Sequence, residues 1–254
     1  MARKKTLHTP VALRLTTGIN DARLLYIMVL APRHTHYTRK KRRFDATPEP
    51  RGGGSTSIKR NGPLIYAVQK HMASHLHYDF RLEWRGVLLS WAVPKGPSLD
   101  PAVKRLAMQT EDHPVGYAHF EGVIPAGQYG AGTVMLWDRG TWQSESPDVD
   151  ASLQAGEIKF TLHGTKLHGS WVLLHTRRFA SNPARSTWLL IKHRDQFAST
   201  KDVTEEEPRS VASQRLLAEI AKDEGGDVER ASMGDPATKA KPERGRIVRR
   251  RRSD

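Results

Sequence analysis

The chain has 254 residues, and its 37% apolar content can supply one sizeable hydrophobic core. It contains no cysteine, which excludes disulfides and cysteine-ligated zinc or iron–sulfur centres. The net charge of +14 indicates a polyanionic partner, and nucleic acid is favoured over a membrane because no basic amphipathic helix accompanies the charge.

Residues 1–36 are expected to form a poorly ordered extension that precedes the folded domain. Their apolar run at residues 24–30 is far shorter than a membrane span, and charged residues lie just before it. A basic cluster at residues 39–43 is followed by a Gly- and Ser-rich connector at residues 50–62. The short apolar run argues against a membrane partner. The absence of cysteine leaves the compartment open, and our expectation is a cytoplasmic protein associated with the nucleoid.

Residues 75–82 are expected to form a strand with one polar and one apolar face. Alternate side chains of a strand point to opposite faces, and polar and apolar residues alternate here without a break. The polar face would carry His75, His77, Asp79 and Arg81, and the apolar face Leu76, Tyr78, Phe80 and Leu82. A helix would scatter the same residues around its axis. The pattern therefore predicts a half-buried strand.

The polar face of this strand has the residue types of a metal site. Neutral imidazole and carboxylate are ligands for ions such as Mn, Fe or Zn, and His77 and Asp79 are close enough to bind one ion together. Arg81 cannot bind a metal, but its guanidinium suits a phosphate held beside one. The alternative is a set of ordinary half-buried histidines next to an ion pair.

His71 would lie on the same face of an extended strand as His77, because an even number of positions separates them, but it is six residues earlier in the chain. Six residues of extended chain span roughly 20 Å, which is too far for two ligands of one ion. The small residues Ala73 and Ser74 are where we predict a bend, which would bring His71 back towards the ion.

Further short apolar runs, separated by Gly and Pro turns, predict an all-β domain. They cover residues 64–68, 87–93, 133–137, 157–162, 169–175 and 187–192. Strands at this spacing favour an antiparallel β-barrel of about eight strands with long loops, short helical segments and disordered termini. We place the barrel domain at residues 37–200. Residues 201–254 are expected to be a charged tail with one short helix, mostly disordered.

Four more residues could take part in chemistry, and each has an ordinary alternative. His113 lies at a proline-fixed turn and Tyr117 offers a phenol, but they could equally be a turn residue and a packing residue. Lys95 and Arg105 follow prolines in loops and could contact phosphate or face solvent. The glycine-dense residues 121–132 match neither a P-loop nor a dinucleotide fingerprint and are interpreted as a set of turns.

Several blocks, in this order along the chain, resemble the 3′-phosphoesterase domain family of bacterial DNA ligase D. The first block reads QKHMASHLHYDFRLE at residues 69–83, and others lie at residues 90–98, 111–114, 120–125 and 137–142. The similarity runs from about Tyr37 to Lys192, and the chain is expected to be a stand-alone member. The resemblance implies a β-barrel with a Mn-dependent site that removes a 3′-terminal phosphate or, in some members, a terminal ribonucleoside.

The resemblance also implies a role for each candidate residue. By this resemblance, Mn²⁺ or another divalent metal would be bound by His71, His77 and Asp79. Arg81 and His113 would hold the scissile phosphate, and Tyr117 beside it would be the third catalytic residue. Lys95 and Arg105 would make supporting contacts with the phosphate. The implied partners are DNA 3′ ends or primer-templates with a 3′-phosphate or 3′-ribonucleotide, together with a separate DNA ligase and an end-binding protein of non-homologous end joining. We expect the protein to act as a monomer.

This chain differs from the family pattern in one place, an arm at residues 42–50 that precedes the barrel. Family members often carry an Arg-Asp-Phe triplet ahead of a Thr-x-Glu-Pro segment. Here residues 42–44 read Arg-Arg-Phe, Asp45 is displaced, and Thr-Pro-Glu-Pro follows at residues 47–50. Because the arm is associated with ribonucleoside removal, phosphate removal is the stronger expectation.

Two other functions stay open from the sequence. His77 and Asp79 with a distant His113 also have the form of the two-His-one-carboxylate triad of Fe(II) oxygenases, which would turn over an oxoglutarate cosubstrate. That reading gives Arg81 no obvious role beside the metal. A basic barrel that binds nucleic acid without catalysis is the third possibility, and the intact set of His, Asp and Arg argues against it.

Overall fold

Strands are the predominant secondary structure of the folded part of the chain. The computed structural model describes residues 47–50, 62–176 and 186–237. The strands in these ranges are β1 (Ile65–Met72), β2 (Leu76–Trp84), β3 (Val87–Val93), β4 (Arg105–Gln109), β5 (His113–Pro114), β6 (Gly122–Ile124), β7 (Gly132–Ser144), β8 (Glu157–Gly164), β9 (His168–His175) and β10 (Thr187–Lys192). The helices are a 3₁₀ helix (Val115–His119), α1 (Val149–Ala155), α2 (Val203–Glu206), α3 (Leu217–Asp223) and α4 (Val228–Ser232). In these ranges no helix has the length and apolar character needed to cross a membrane.

Eight of the strands form a closed antiparallel barrel. Their order around the barrel is β1-β2-β3-β4-β10-β9-β8-β7, and the ring closes because β1 also pairs with β7. The short strands β5 and β6 lie outside this ring, where they pair with β3 and β7. The predicted fold class, an antiparallel barrel of about eight strands, is confirmed.

Large aromatic side chains fill the interior of the barrel. Trp91, Trp137 and Trp171 are fully buried, and Phe80 from β2 packs against Phe160 from β8 with ring centroids 5.8 Å apart. Burial of one such side chain contributes about 1.5–3 kcal/mol to folding. The apolar face predicted for β2 therefore belongs to the core, which leaves its polar face on the other side of the sheet.

A tight turn joins β1 to β2 and brings the two histidines together. β1 ends at Met72 and β2 begins at Leu76, so residues 73–75 reverse the chain. The register pairs His71 directly with His77. The bend predicted at Ala73 and Ser74 is confirmed.

Residues 201–237 differ from the sequence prediction of one short helix in a mostly disordered tail. They contain α2, α3 and α4, and their buried apolar residues join the core: Val203, Leu217, Ile220, Ala221 and Ala231. A Cβ built on Gly234 would lie 3.1 Å from Met72 and 3.2 Å from Leu76, which shows how closely the segment approaches the β1–β2 hairpin. The composition of this segment is too polar to predict that it folds. Its helices fold because they cover apolar surface that belongs mostly to the barrel.

Other predictions about the ends of the chain concern residues that the structure does not describe. Residues 1–36 and the Arg-Arg-Phe departure at residues 42–44 lie outside the described ranges. The domain boundaries at residues 37 and 200 therefore stay predictions.

The buried carboxylate of Asp138 on β7 stabilises the turn between β8 and β9 through hydrogen bonds. This carboxylate accepts hydrogen bonds from the Tyr66 hydroxyl at 2.6 Å and from the backbone amides of Thr165, Lys166 and Leu167 at 3.0–3.1 Å. Burial raises the pKa of Asp138, although the hydrogen bonds from Tyr66, Lys166 and Leu167 oppose the shift. Four donors thus depend on one buried acceptor group.

We expect Asp138→Asn to lower the free energy of unfolding by about 2 kcal/mol. An amide side chain has one acceptor oxygen in place of two, so at least one buried donor loses its partner. Urea denaturation followed by tryptophan fluorescence measures this change. Asp223→Asn is the control: its exposed carboxylate accepts a single ion-pair contact from Arg215, and its loss should cost no more than about 1 kcal/mol. Equal stability of the two variants would contradict this role of Asp138.

Candidate metal centre and active site

Three side chains on the outer face of the β1–β2 hairpin form a candidate metal centre. The ligand atoms of His71, His77 and Asp79 all lie within 4.8 Å of one another. Each histidine places a ring nitrogen 3.7 Å from a different Asp79 oxygen. Two ligands that bind one ion at about 2.1 Å lie roughly 3–4 Å apart, so both histidine–Asp79 distances fit a shared ion.

Two backbone carbonyls orient the histidine rings. His71 Nε2 lies 3.0 Å from the carbonyl oxygen of Gly130, and His77 Nδ1 lies 3.0 Å from that of His75. A carbonyl only accepts, so each of these nitrogens carries the ring hydrogen, and the lone pairs lie on His71 Nδ1 and His77 Nε2. These are the two atoms that face Asp79. The set therefore has the tautomers that metal binding requires.

The electrostatics of the cluster also suit a divalent cation. Burial lowers the pKa of His71, so its ring is neutral at pH 7 and available as a ligand. Burial alone would raise the pKa of Asp79, but the Arg81 guanidinium and the two histidines lower it well below its usual range. Two imidazoles and one carboxylate are a suitable set for Mn, Fe or Zn, and this donor chemistry does not select among them.

Arg81 connects the metal centre to the rest of the site. Only 2% of the residue is exposed, and its donors are shared among three strands. Nε donates to Gln69 Oε1 at 2.7 Å, Nη1 to Ser90 Oγ at 2.8 Å, and Nη2 to Asp79 Oδ2 at 3.0 Å. The guanidinium is therefore held in place by protein groups in the position predicted for it beside the metal ligands.

Gln69 and Ser90 are the partners that sequence reasoning missed. Gln69 lies opposite Asp79 in the β1–β2 register, and its amide also donates to the carbonyls of Tyr117 and Phe120. Gln69 lies two positions before His71 and therefore shares its face of the strand. This spacing could have identified Gln69 as a candidate site residue. Ser90 begins the block at residues 90–98 that carries the family resemblance, but no local pattern predicts that its side chain contacts Arg81.

His113 and Tyr117 lie next to Arg81, as the prediction of a shared site requires. His113 Nδ1 is 2.8 Å from both Arg81 Nη1 and the carbonyl oxygen of Glu111. The Tyr117 ring lies 4.9 Å from the Arg81 guanidinium and 4.9 Å from the His113 ring. The Tyr117 hydroxyl donates to Glu49 at 2.8 Å. The arm at residues 47–50 therefore reaches the site through Glu49.

Lys95 and Arg105 are less closely connected to this cluster. Lys95 is exposed in the turn that follows β3, and Arg105 is half-buried at the start of β4. Among the described residues, neither side chain forms an ion pair with Asp79. Their predicted contacts with phosphate stay predictions, as do the catalytic roles of the other site residues.

The glycine-dense segment is a set of turns between β6 and β7, as its composition suggests. The turns include Gln128 N to Pro125 O and Ala131 N to Gln128 O hydrogen bonds. The contact of Gly130 with His71 could not be found from the sequence because it is made by a backbone carbonyl, which every residue has.

Loss of one ligand should abolish tight binding of a divalent metal. Outer-shell changes typically weaken a metal site 10- to 100-fold, so we expect His77→Ala to raise the Kd for Mn²⁺ by at least about 100-fold. Isothermal titration calorimetry measures this. His75→Ala is the matched control, because it keeps the backbone carbonyl that orients His77 and should leave the Kd within about twofold. Similar affinities for the two variants would show that His77 is not a ligand.

Comparison with known proteins confirms the resemblance predicted from the sequence. Residues 69–175 match the family model described as the DNA Ligase D 3′-phosphoesterase domain. The chain is 52% identical over 181 residues to the multifunctional non-homologous end joining protein LigD of Pseudomonas aeruginosa, covering 70% of this chain and 21% of that protein. It is 44% identical over 155 residues to the Mycobacterium tuberculosis LigD, a match that covers 58% and 19% of the two chains. It thus spans about a fifth of the length of these relatives.

Proposed function

Since residues 69–175 match the DNA ligase D 3′-phosphoesterase domain, we propose that the protein is a Mn-dependent phosphoesterase that processes DNA 3′ ends during repair. It removes a 3′-terminal phosphate and leaves a 3′-hydroxyl that a ligase can seal. The observation that carries this proposal is the position of the His71, His77 and Asp79 cluster directly beside Arg81 and His113. The site thus combines a cation-binding set with groups suited to a phosphate.

The bound metal would supply positive charge that stabilises the developing charge on phosphate oxygens. Arg81 adds a fixed positive charge and keeps Asp79 ionised, so it supports both the cation and the phosphate. His113 Nδ1 is held between Glu111 and Arg81, so a proton that this ring exchanges with the substrate passes through Nε2. The Tyr117 hydroxyl is held by Glu49 next to the same ring.

The partners follow from this activity and from the charge of the chain. The substrate is a DNA 3′ end or a primer-template with a 3′-phosphate, and the net charge of +14 favours its capture by long-range attraction. A separate DNA ligase and an end-binding protein of non-homologous end joining would act on the same ends. The protein would act as a monomer near the nucleoid.

We further propose that the protein also removes a terminal ribonucleoside. The arm associated with this activity contributes Glu49, which is 4% exposed and accepts the hydrogen bond of Tyr117. The contact between Tyr117 and Glu49 is present in a chain that reads Arg-Arg-Phe at residues 42–44.

Incubation of a 3′-phosphorylated primer-template with the protein and Mn²⁺ should release inorganic phosphate. His77→Ala should reduce the rate by at least about 100-fold, since it removes a metal ligand, whereas His75→Ala should match the native protein. Release is followed by the mobility shift of the labelled primer. Equal rates for native protein and His77→Ala would refute the site. Binding of the primer without release would instead support a non-catalytic barrel.

Glu49→Ala should separate the two proposed activities. Removal of a carboxylate hydrogen bond to Tyr117 costs about 1.5–3 kcal/mol, which corresponds to roughly 10- to 100-fold in the rate of ribonucleoside removal. Release of a 3′-phosphate should fall much less. The assay compares primers that end in a 3′-ribonucleotide or a 3′-phosphate. Pro48→Ala, at the exposed neighbouring position, is the control. Equal losses on both primers would assign Glu49 to the shared chemistry.

A further inference from the structure

The end of the β1–β2 hairpin carries two of the three candidate metal ligands but has few strand neighbours. The register pairs His71 with His77 and Met72 with Leu76. Strand β3 begins to pair with β2 at Tyr78, so within the described ladder Leu76 and His77 pair with β1 alone. The position of His77 therefore depends on what packs against this end of the hairpin.

The segment of residues 217–235 packs against the hairpin end from the core side. A Cβ built on Gly234 would lie 2.7 Å from Leu217 Cδ1, 3.1 Å from Met72 Cε and 3.2 Å from Leu76 Cδ1. Met72 and Leu76 each adjoin a candidate ligand in the chain, so their side chains lie on the face opposite the metal centre. The segment thus supports the ligand-bearing strands from behind.

Hydrogen bonds hold Gly234 in this contact. The carboxylate of Asp235 accepts from the backbone amides of Leu217 and Ala218 at 3.0 and 2.9 Å, at the start of α3. The amide of Gly234 donates to the carbonyl oxygen of Ala231 at 3.0 Å, in α4. Because Gly234 is fixed to both helices, it can withdraw from the hairpin only if these bonds break.

A second set of contacts ties the chain just before α3 to the body of the barrel. The Glu121 carboxylate, next to β6, accepts from the Arg215 guanidinium at 3.2 Å and from the Ser210 hydroxyl. The amide of Val211 donates to the carbonyl oxygen of Leu136 on β7 at 2.9 Å. These anchors lie on β7 and beside β6, so the segment connects the hairpin end to a separate part of the barrel.

We propose that residues 217–235 position His77 in the metal centre by packing on Leu76, although none of the three candidate ligands comes from this segment. The inference rests on the metal-binding part of the proposed function, and it makes Leu217 and Gly234 positioning residues. The segment lies beyond residues 69–175, which match the family model. Coupling of this kind is reciprocal, so metal binding stabilises the packed segment by the same factor by which the segment strengthens metal binding.

The proposal is tested by a side chain placed between the segment and the hairpin. We expect Gly234→Val to raise the Kd for Mn²⁺ about 10-fold, as a change outside the ligand set does. Isothermal titration calorimetry measures this, and circular dichroism checks that the variant is folded. Gly234→Ala adds a smaller group at the same point and should raise the Kd about 3-fold. It keeps the test decisive if valine prevents folding.

Gly226→Val is the matched control. A Cβ on Gly226 would lie 2.7 Å from Val123 Cγ2 on β6, so this variant strains the same segment away from the hairpin. Neither Gly226 nor Gly234 has a φ in the left-handed region, so backbone strain does not distinguish the two variants. Gly226→Val should leave the Kd for Mn²⁺ within about twofold of the native value.

Reciprocity supplies a second measurement, made on the native protein. Addition of Mn²⁺ should slow amide hydrogen exchange in α3 by up to about 10-fold, since local opening of the segment would cost metal affinity. The visible absorption of bound Co²⁺ depends on ligand geometry. It should therefore change in Gly234→Val and match the native spectrum in Gly226→Val.

The possible failures are distinguishable. A native protein that binds no Mn²⁺ would refute the metal centre and this proposal together. A native protein that binds Mn²⁺ with an affinity that Gly234→Val leaves unchanged would refute the positioning role alone. An equal rise in Kd for Gly234→Val and Gly226→Val would also overturn it, because the effect would then be a general loss of stability.

Discussion

The buried ion pair between Asp79 and Arg81 is the interaction on which the site depends. Asp79 is shared by two histidines and the guanidinium, and Arg81 reaches Gln69 on β1, Ser90 on β3 and His113 on β5. Loss of one partner of a buried pair typically costs about 3–5 kcal/mol, because the other charge is left without compensation. The same contact therefore keeps the Asp79 carboxylate of the candidate metal centre ionised and holds Arg81 beside His113.

The part of the site that could be predicted from the sequence lies on one strand. Side chains alternate with a period of two in any strand, so the polar face of β2 and its apolar counterpart follow directly from residues 75–82. The bend before it follows from the need to bring His71 back towards the ion. The barrel follows from the spacing of the other apolar runs. The residues alone left His113 and Tyr117 as candidates with ordinary alternatives, and the family resemblance supplied their roles.

The remaining features depend on contacts between distant segments. The Gly130 carbonyl orients His71, yet any residue has a carbonyl, and only the pairing of β7 with β1 brings this one into place. The helices of residues 201–237 are too short and polar to be expected from composition, and they fold because the barrel offers apolar surface for Leu217 and Ile220. Pairing across the barrel is what supplies this information, and a single sequence does not display it.

The short β1–β2 turn has a further consequence for the entropy of assembling the site. The three candidate ligands span only residues 71–79, and the cost of closing a loop grows with the logarithm of its length. Little chain freedom is therefore lost when they gather around a cation. His113 comes from beyond β4, so the pairing of β5 with β3 is what brings this side chain up to Arg81.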